Sequence, residues 1–201
     1  HAGEGQESEQ GEHAPRDQAA QGAGQQRVAW AQERVGAIQQ VDGQPGAEDV
    51  ELVLRFIAYR QRLSNQTGAL KDYFDAFVRI ANQWPQHLID SLERLFVDTI
   101  TLAEDLLGEN AFFLWRARKN SKDGGTFYRR PTVVVYDPLM FALSQRLSSG
   151  DVLRQSAEAV REDIRVFYES NYDQFEGRYT NLANIQERNK LFSAFLDQYI
   201  R

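Results

Sequence analysis

At 201 residues and 42% hydrophobic composition, the chain is long enough for one domain with a sizeable core and too short for two comfortable ones. It has no cysteine, which excludes disulfides, thiolate metal sites and cysteine nucleophiles, and no apolar run of about 18 residues, which excludes a membrane-spanning helix. The formal charge of -6 lies wholly in residues 1–50, where three arginines face nine acids. The rest balances at 20 basic against 20 acidic, so the acidic total says little against a nucleic-acid partner for the body.

Lack of cysteine fits a reducing compartment, and the cytoplasm is the expected location. The first residue is His1 and the single methionine is Met140, so the chain reads as an excerpt of something longer. Residues 1–26 are Gly, Gln, Glu and Ala-rich, without an aromatic or branched aliphatic side chain, and are predicted to be a disordered leader. His1 and His13 lie there without a rigid frame, so no metal site is expected of them. Val28, Trp30, Val35 and Ile38 then suggest a short helix, ended by Gly43, Pro45 and Gly46.

Residues 49–63, DVELVLRFIAYRQRL, carry apolar side chains around most of a helical circumference, with Phe56 at the middle. A central helix is predicted. Its one polar edge pairs Glu51 with Arg55 one turn later, and Glu48 and Asp49 complement the dipole of its first turn. Thr67 is the expected cap of a second helix on Leu70, Phe74, Phe77 and Ala81, closed by Trp84-Pro85. Pro85 suits the first position of the longest helix, on Leu88, Leu92, Leu95, Thr99, Leu102 and Leu106, which Gly108 stops.

From residue 111 the pattern changes to AFFLWRARKNSKDGGTFYRRP, predicted as two short strands or an irregular excursion, followed by TVVVY as a strand or extended lead-in. Asp137-Pro138 then reads as cap and first turn of a helix running to Leu147. A single, more peripheral helix is expected over residues 151–168, on Val152, Ser156, Val160, Ile164 and Phe167. The last helix, capped by Thr180 or Asn181, buries Leu182, Ile185, Phe192, Leu196 and Tyr199. Residues 27–201 thus read as one mostly α domain, an irregular multi-helix bundle with a short extended or β excursion around residues 111–136.

Catalytic sets are sparse. His87 is the only histidine of the folded region and is expected on a helix surface, and the acids of residues 72–105 face outward for the most part. Gly124-Gly125 lacks the Lys-Ser/Thr ending of a phosphate loop. The unexplained feature is the excursion itself, where Arg116, Arg118, Lys119, Lys122, Arg129 and Arg130 interleave with Trp115, Phe127 and Tyr128. Two readings stay open: phosphate contacts with aromatics that stack on unpaired bases, or a solvated loop whose aromatics turn into the core.

Several segments together resemble one bacterial family, the domain of unknown function 262, whose members include the GmrS part of GmrSD-type modification-dependent restriction systems. EDVELVLRFIAYRQRL is similar to that family's Asp-x-Glu-Leu-Val-Leu-Arg-Phe helix and GALKDYFDAFV to its next segment. LLGENAFFLWR with YRRPTVVVYDPLMFALSQRL, and the ending FEGRYTNLANIQERNKLFSAFL, resemble two further segments in the family's order. The resemblance assigns Glu51, Arg55, Phe56 and Arg188 to motif positions of structural kind.

The resemblance implies a two-lobed protein whose ParB-like N-terminal lobe carries an Asp-Gly-Gln-Gln-Arg motif linked to nucleotide-dependent nuclease activity. Gln25-Gln26-Arg27 and Asp42-Gly43-Gln44 each imitate part of that motif and neither completes it, so no catalytic residue carries over. The expectation is a non-catalytic C-terminal helical lobe of a restriction or phage-defence protein, serving as scaffold and DNA-contacting surface. Its partners would be DNA and the motif-bearing lobe or a nuclease domain. No cofactor is expected in this chain, while nucleotide and divalent metal belong to the full-length protein that the resemblance implies. Two alternatives remain: a nuclease fragment completed by the ParB-like lobe or an HNH-type domain, and a protein–protein interaction module.

Overall fold

The computed structural model describes residues 47–62, 70–118, 124–128, 130–176 and 181–200. The leader, the helix expected around Trp30 and the Thr67 cap lie outside these residues. Among them are seven helices: α1 (Ala47–Arg62), α2 (Leu70–Ala81), α3 (Gln86–Leu107), α4 (Val133–Ser144), α5 (Gly150–Gln155), α6 (Ala157–Ser170) and α7 (Leu182–Asp197). Between α3 and α4 an antiparallel hairpin pairs β1 (Trp115–Ala117) with β2 (Gly125–Phe127). The chain is therefore a mostly α bundle with a small β excursion.

Helix α4, rather than α1, is the most enclosed element. It packs against α1, α3 and α7, and every residue from Val135 to Met140 is buried. Its first turn is the TVVVY segment expected to be extended. Thr132, itself extended at φ -141° and ψ 140°, caps the helix by accepting from the Val134 N–H at 3.3 Å, and its carbonyl accepts from Val135 and Tyr136 at 3.0 and 2.9 Å. Helical valine costs only some tenths of a kcal/mol relative to alanine, whereas full burial, reached here by Val135 and Tyr136, is worth roughly 1.5–3 kcal/mol for a valine-sized side chain. Burial decides the conformation. Asp137-Pro138 accordingly lies inside the helix instead of opening it.

The remaining differences are local. Pro85 is the cap of α3, one residue before the position expected of it, and Gly108 ends that helix at φ 56°. The single helix expected over residues 151–168 breaks at Ser156 into α5 and α6, which leaves Val152 exposed and turns Leu153 inward. Helix α6 is less peripheral than its composition suggests, since Phe167 and Tyr168 join Phe175, Phe192 and Phe195 in an aromatic seam with ring centres as close as 4.8 Å. Of the two caps expected for α7, Asn181 accepts from the Asn184 N–H at 3.0 Å, and Thr180 lies outside the described residues. Arg161 caps the far end of α3, donating to the carbonyls of Leu106 and Asp105 at 2.8 and 2.7 Å, where orphaned helix carbonyls need donors.

Among the described residues, no helix is long and apolar enough to cross a membrane. Phe56 is buried on α1 and meets Phe96 edge to face at 5.6 Å. Phe56→Ala is expected to cost about 3–5 kcal/mol in chemical denaturation, and a loss below about 1 kcal/mol would show that the site collapses around the smaller side chain.

Candidate nucleic-acid interface

Arg55 and Arg188, two of the four motif positions named from the sequence, meet at one buried polar centre, with Glu51 at its edge. Arg55 on α1 grips Asp137 on α4 with both arms, Nε donating to Oδ1 at 3.1 Å and Nη2 to Oδ2. Glu51 adds a weaker contact one turn away, 3.6 Å from Arg55 Nη1, with its own side chain half exposed. The rings of Tyr59 and Phe74 lie 5.3 and 5.8 Å from the Arg55 guanidinium. Arg188, only 3% exposed, donates to the Gln174 carbonyl at 3.1 Å, and Tyr136 donates to the Leu52 carbonyl at 3.1 Å.

Burial holds the Asp137 carboxyl above its ordinary range, against the downward pull of the Arg55 and Arg188 guanidiniums. Burial also works against a charged Arg55, but Asp137 outweighs it and holds the guanidinium above its ordinary value. This centre is a structural clamp. Phe56 belongs with it only as an apolar neighbour on the same helix, packed in the main core.

The basic excursion builds a different, open site. In the hairpin register Arg116 faces Thr126, and the ladder extends one step each way through Arg118 N–H to Gly124 and Tyr128 N–H to Leu114, both at 2.8 Å. Side chains alternate across a strand, so Arg116, Arg118, Thr126 and Tyr128 share one face. Trp115 and Phe127 share the other, their rings 5.1 Å apart. Trp115 is buried, donates to Glu169 at 2.8 Å and carries the Arg165 guanidinium 4.9 Å over its ring, which fixes the hairpin on α6.

On the outward face lies a cleft of about 730 Å³, lined by Arg116, Arg118, Thr126, Tyr128, Arg130 and Tyr172 among others. Arg116 is its hub. Its guanidinium sits 4.4 Å from the ring centre of Tyr172 and 5.4 Å from that of Tyr128, while Nη2 donates to the Phe175 carbonyl at 3.4 Å. Tyr172 is hydrogen-bonded to Glu176, which holds its hydroxyl above the ordinary value. Arg118 and Arg130 are exposed and make no ion pair among the described residues.

Three of the six basic residues singled out from the sequence, Arg116, Arg118 and Arg130, are thus brought together, and Lys119, Lys122 and Arg129 lie outside the described residues. Sequence reasoning missed Asp137, taken for a helix cap, and Tyr172, which reaches the cleft from the short helical turn Tyr172–Phe175 after α6. His87 is exposed, as expected. Among the described residues, no group of three or more histidine or acidic side chains is placed to hold a metal ion.

Gly124-Gly125 owes its composition to the hairpin. Gly124 has φ 73°, and a Cβ on Gly125 would lie 2.5 Å from the Arg116 carbonyl oxygen and 2.7 Å from the Trp115 indole. Gly125→Ala is expected to lower stability by about 1–3 kcal/mol through overpacking and to change the near-UV dichroism of Trp115, and an unchanged unfolding midpoint would contradict this. For the clamp, Asp137→Ala is expected to cost about 3–5 kcal/mol because it strands a buried guanidinium, whereas replacing the pair together by Arg55→Met and Asp137→Leu is expected to cost less than Asp137→Ala alone, both read by urea unfolding. Comparison with family models, with curated proteins and with solved structures finds no match.

Proposed function

We propose that this chain is a non-catalytic helical lobe that contacts nucleic acid through the hairpin cleft, as part of a bacterial restriction or phage-defence protein. The observation that carries the contact is the cleft itself: Arg118 and Arg130 stand exposed beside two half-exposed tyrosines, on a surface fixed to the core by Trp115. Cations on a rigid frame suit the phosphodiester backbone, because each contact releases condensed counterions and needs no sequence information. The restriction setting rests on the segment resemblance alone. DNA is accordingly the proposed partner, and the remaining parts of such a protein would supply any nucleotide, metal or cleavage chemistry.

Salt dependence tests the contact directly. With the full chain and a fluorescent DNA oligonucleotide, log affinity is expected to fall linearly with log salt. The double variant Arg118→Ala, Arg130→Ala is expected to reduce the slope by about 1.4 to 1.8, the sum for two lost phosphate contacts on single or double strands, without shifting the unfolding midpoint. An unchanged slope, or a parent chain that does not bind at all, would refute the reading.

A further inference from the structure

The two tyrosines of the cleft are not explained by phosphate contact. Tyr128 is 50% exposed and Tyr172 44% exposed, so two large rings stay in water beside a core that takes in almost every other aromatic of the hairpin region. Arg116 lies against both rings, and its Nη2 is tied to the Phe175 carbonyl. A guanidinium held this way is spent on positioning: it fixes two aromatic planes at the lip of a cleft whose flanking cations are Arg118 and Arg130.

We infer that the cleft binds an unpaired nucleobase of a DNA single strand, stacked on Tyr128 or Tyr172, with the flanking phosphates on Arg118 and Arg130. This deepens the proposed function and rests on it. Aromatic faces interleaved with cations are the composition of single-strand sites, where stacking accepts any base and the cations follow the backbone. A base pair within a duplex has both faces covered by its neighbours and offers tyrosine nothing. The cleft volume of about 730 Å³ falls in the range of small-molecule pockets, roomy enough for a nucleotide and too small to enclose a duplex.

The test compares a short oligothymidylate, a blunt duplex of equal length, thymidine monophosphate and an acidic peptide, using the full chain and its Tyr128→Leu, Tyr172→Leu and Tyr→Phe variants. The parent is expected to prefer the oligothymidylate to the duplex and to bind the monophosphate weakly at the same site, by competition. At least one leucine variant is expected to lose about 5- to 150-fold in oligothymidylate affinity, the worth of one stacked base. Its duplex affinity and its salt slope should stay unchanged, and phenylalanine at the same position should restore binding. Both tyrosines are half exposed, so unchanged unfolding midpoints serve as the folding control.

The inference fails if both leucine variants bind oligothymidylate like the parent, if duplex binds as tightly as the single strand, or if the acidic peptide displaces oligothymidylate at equal concentration. If the leucine variants are silent while the arginine variants still reduce the salt slope, stacking falls and the phosphate contact stands. Loss of every effect in both sets removes both readings.

Discussion

The bidentate pair of Arg55 with Asp137 sets the arrangement of the helices. Both groups are withdrawn from water, the Arg55 side chain to 13% exposure and Asp137 to 6%, so each depends on the other to offset desolvation. The pair joins α1 to α4 across 82 residues of sequence, and Arg188 brings α7 close enough to act on the same carboxyl. Apolar packing around α4 supplies most of the stabilisation, but it is non-directional. A guanidinium fork on a carboxylate accepts one geometry, which gives α1 a defined rotation and register against the centre.

Behind the cleft, the same economy of fixed geometry continues in apolar form. The seam of Phe167, Tyr168, Phe175, Phe192 and Phe195 joins α6, the turn after it and α7. Tyr172 stands in that turn, three residues before the buried Phe175. The hairpin is anchored to α6 through Trp115 and Glu169, and Arg161 ties α6 in turn to the end of α3. Residues far apart in sequence therefore meet at the cleft on supports that are all packed into one core, which limits how far their exposed groups can wander before a ligand arrives.

Periodicity made α1, α2, α3 and α7 legible, because their apolar rows repeat at helical spacing and their ends carry ordinary stop signals. It placed the start of α4 too late, at Asp137 in place of Thr132, for a physical reason. A helix buried all round has no polar face to mark its period, and a run of β-branched residues before Asp-Pro carries the local preferences of a strand followed by a cap. The polar centre was half visible: Glu51 and Arg55 stood out as neighbours one turn apart, while the stronger partner, Asp137, is distant in sequence and lay in the misassigned segment. In the cleft, the cations and Tyr128 were conspicuous by composition. Tyr172 was not, since only the tertiary fold carries it to Arg116.

The alternation of the hairpin has a consequence for the sign of the surface. With Trp115 opposite Phe127 and Arg116 opposite Thr126, one face is greasy and the other cationic. A pairing slipped by a single residue would exchange the two, pressing a guanidinium against α6 and turning an indole out to solvent. Gly124 in its left-handed conformation and Gly125 beneath the Trp115 ring make that slip costly, since an ordinary side chain is strained at the first place and clashes at the second. Two adjacent glycines, neutral in themselves, thereby decide the electrical polarity of this side of the molecule.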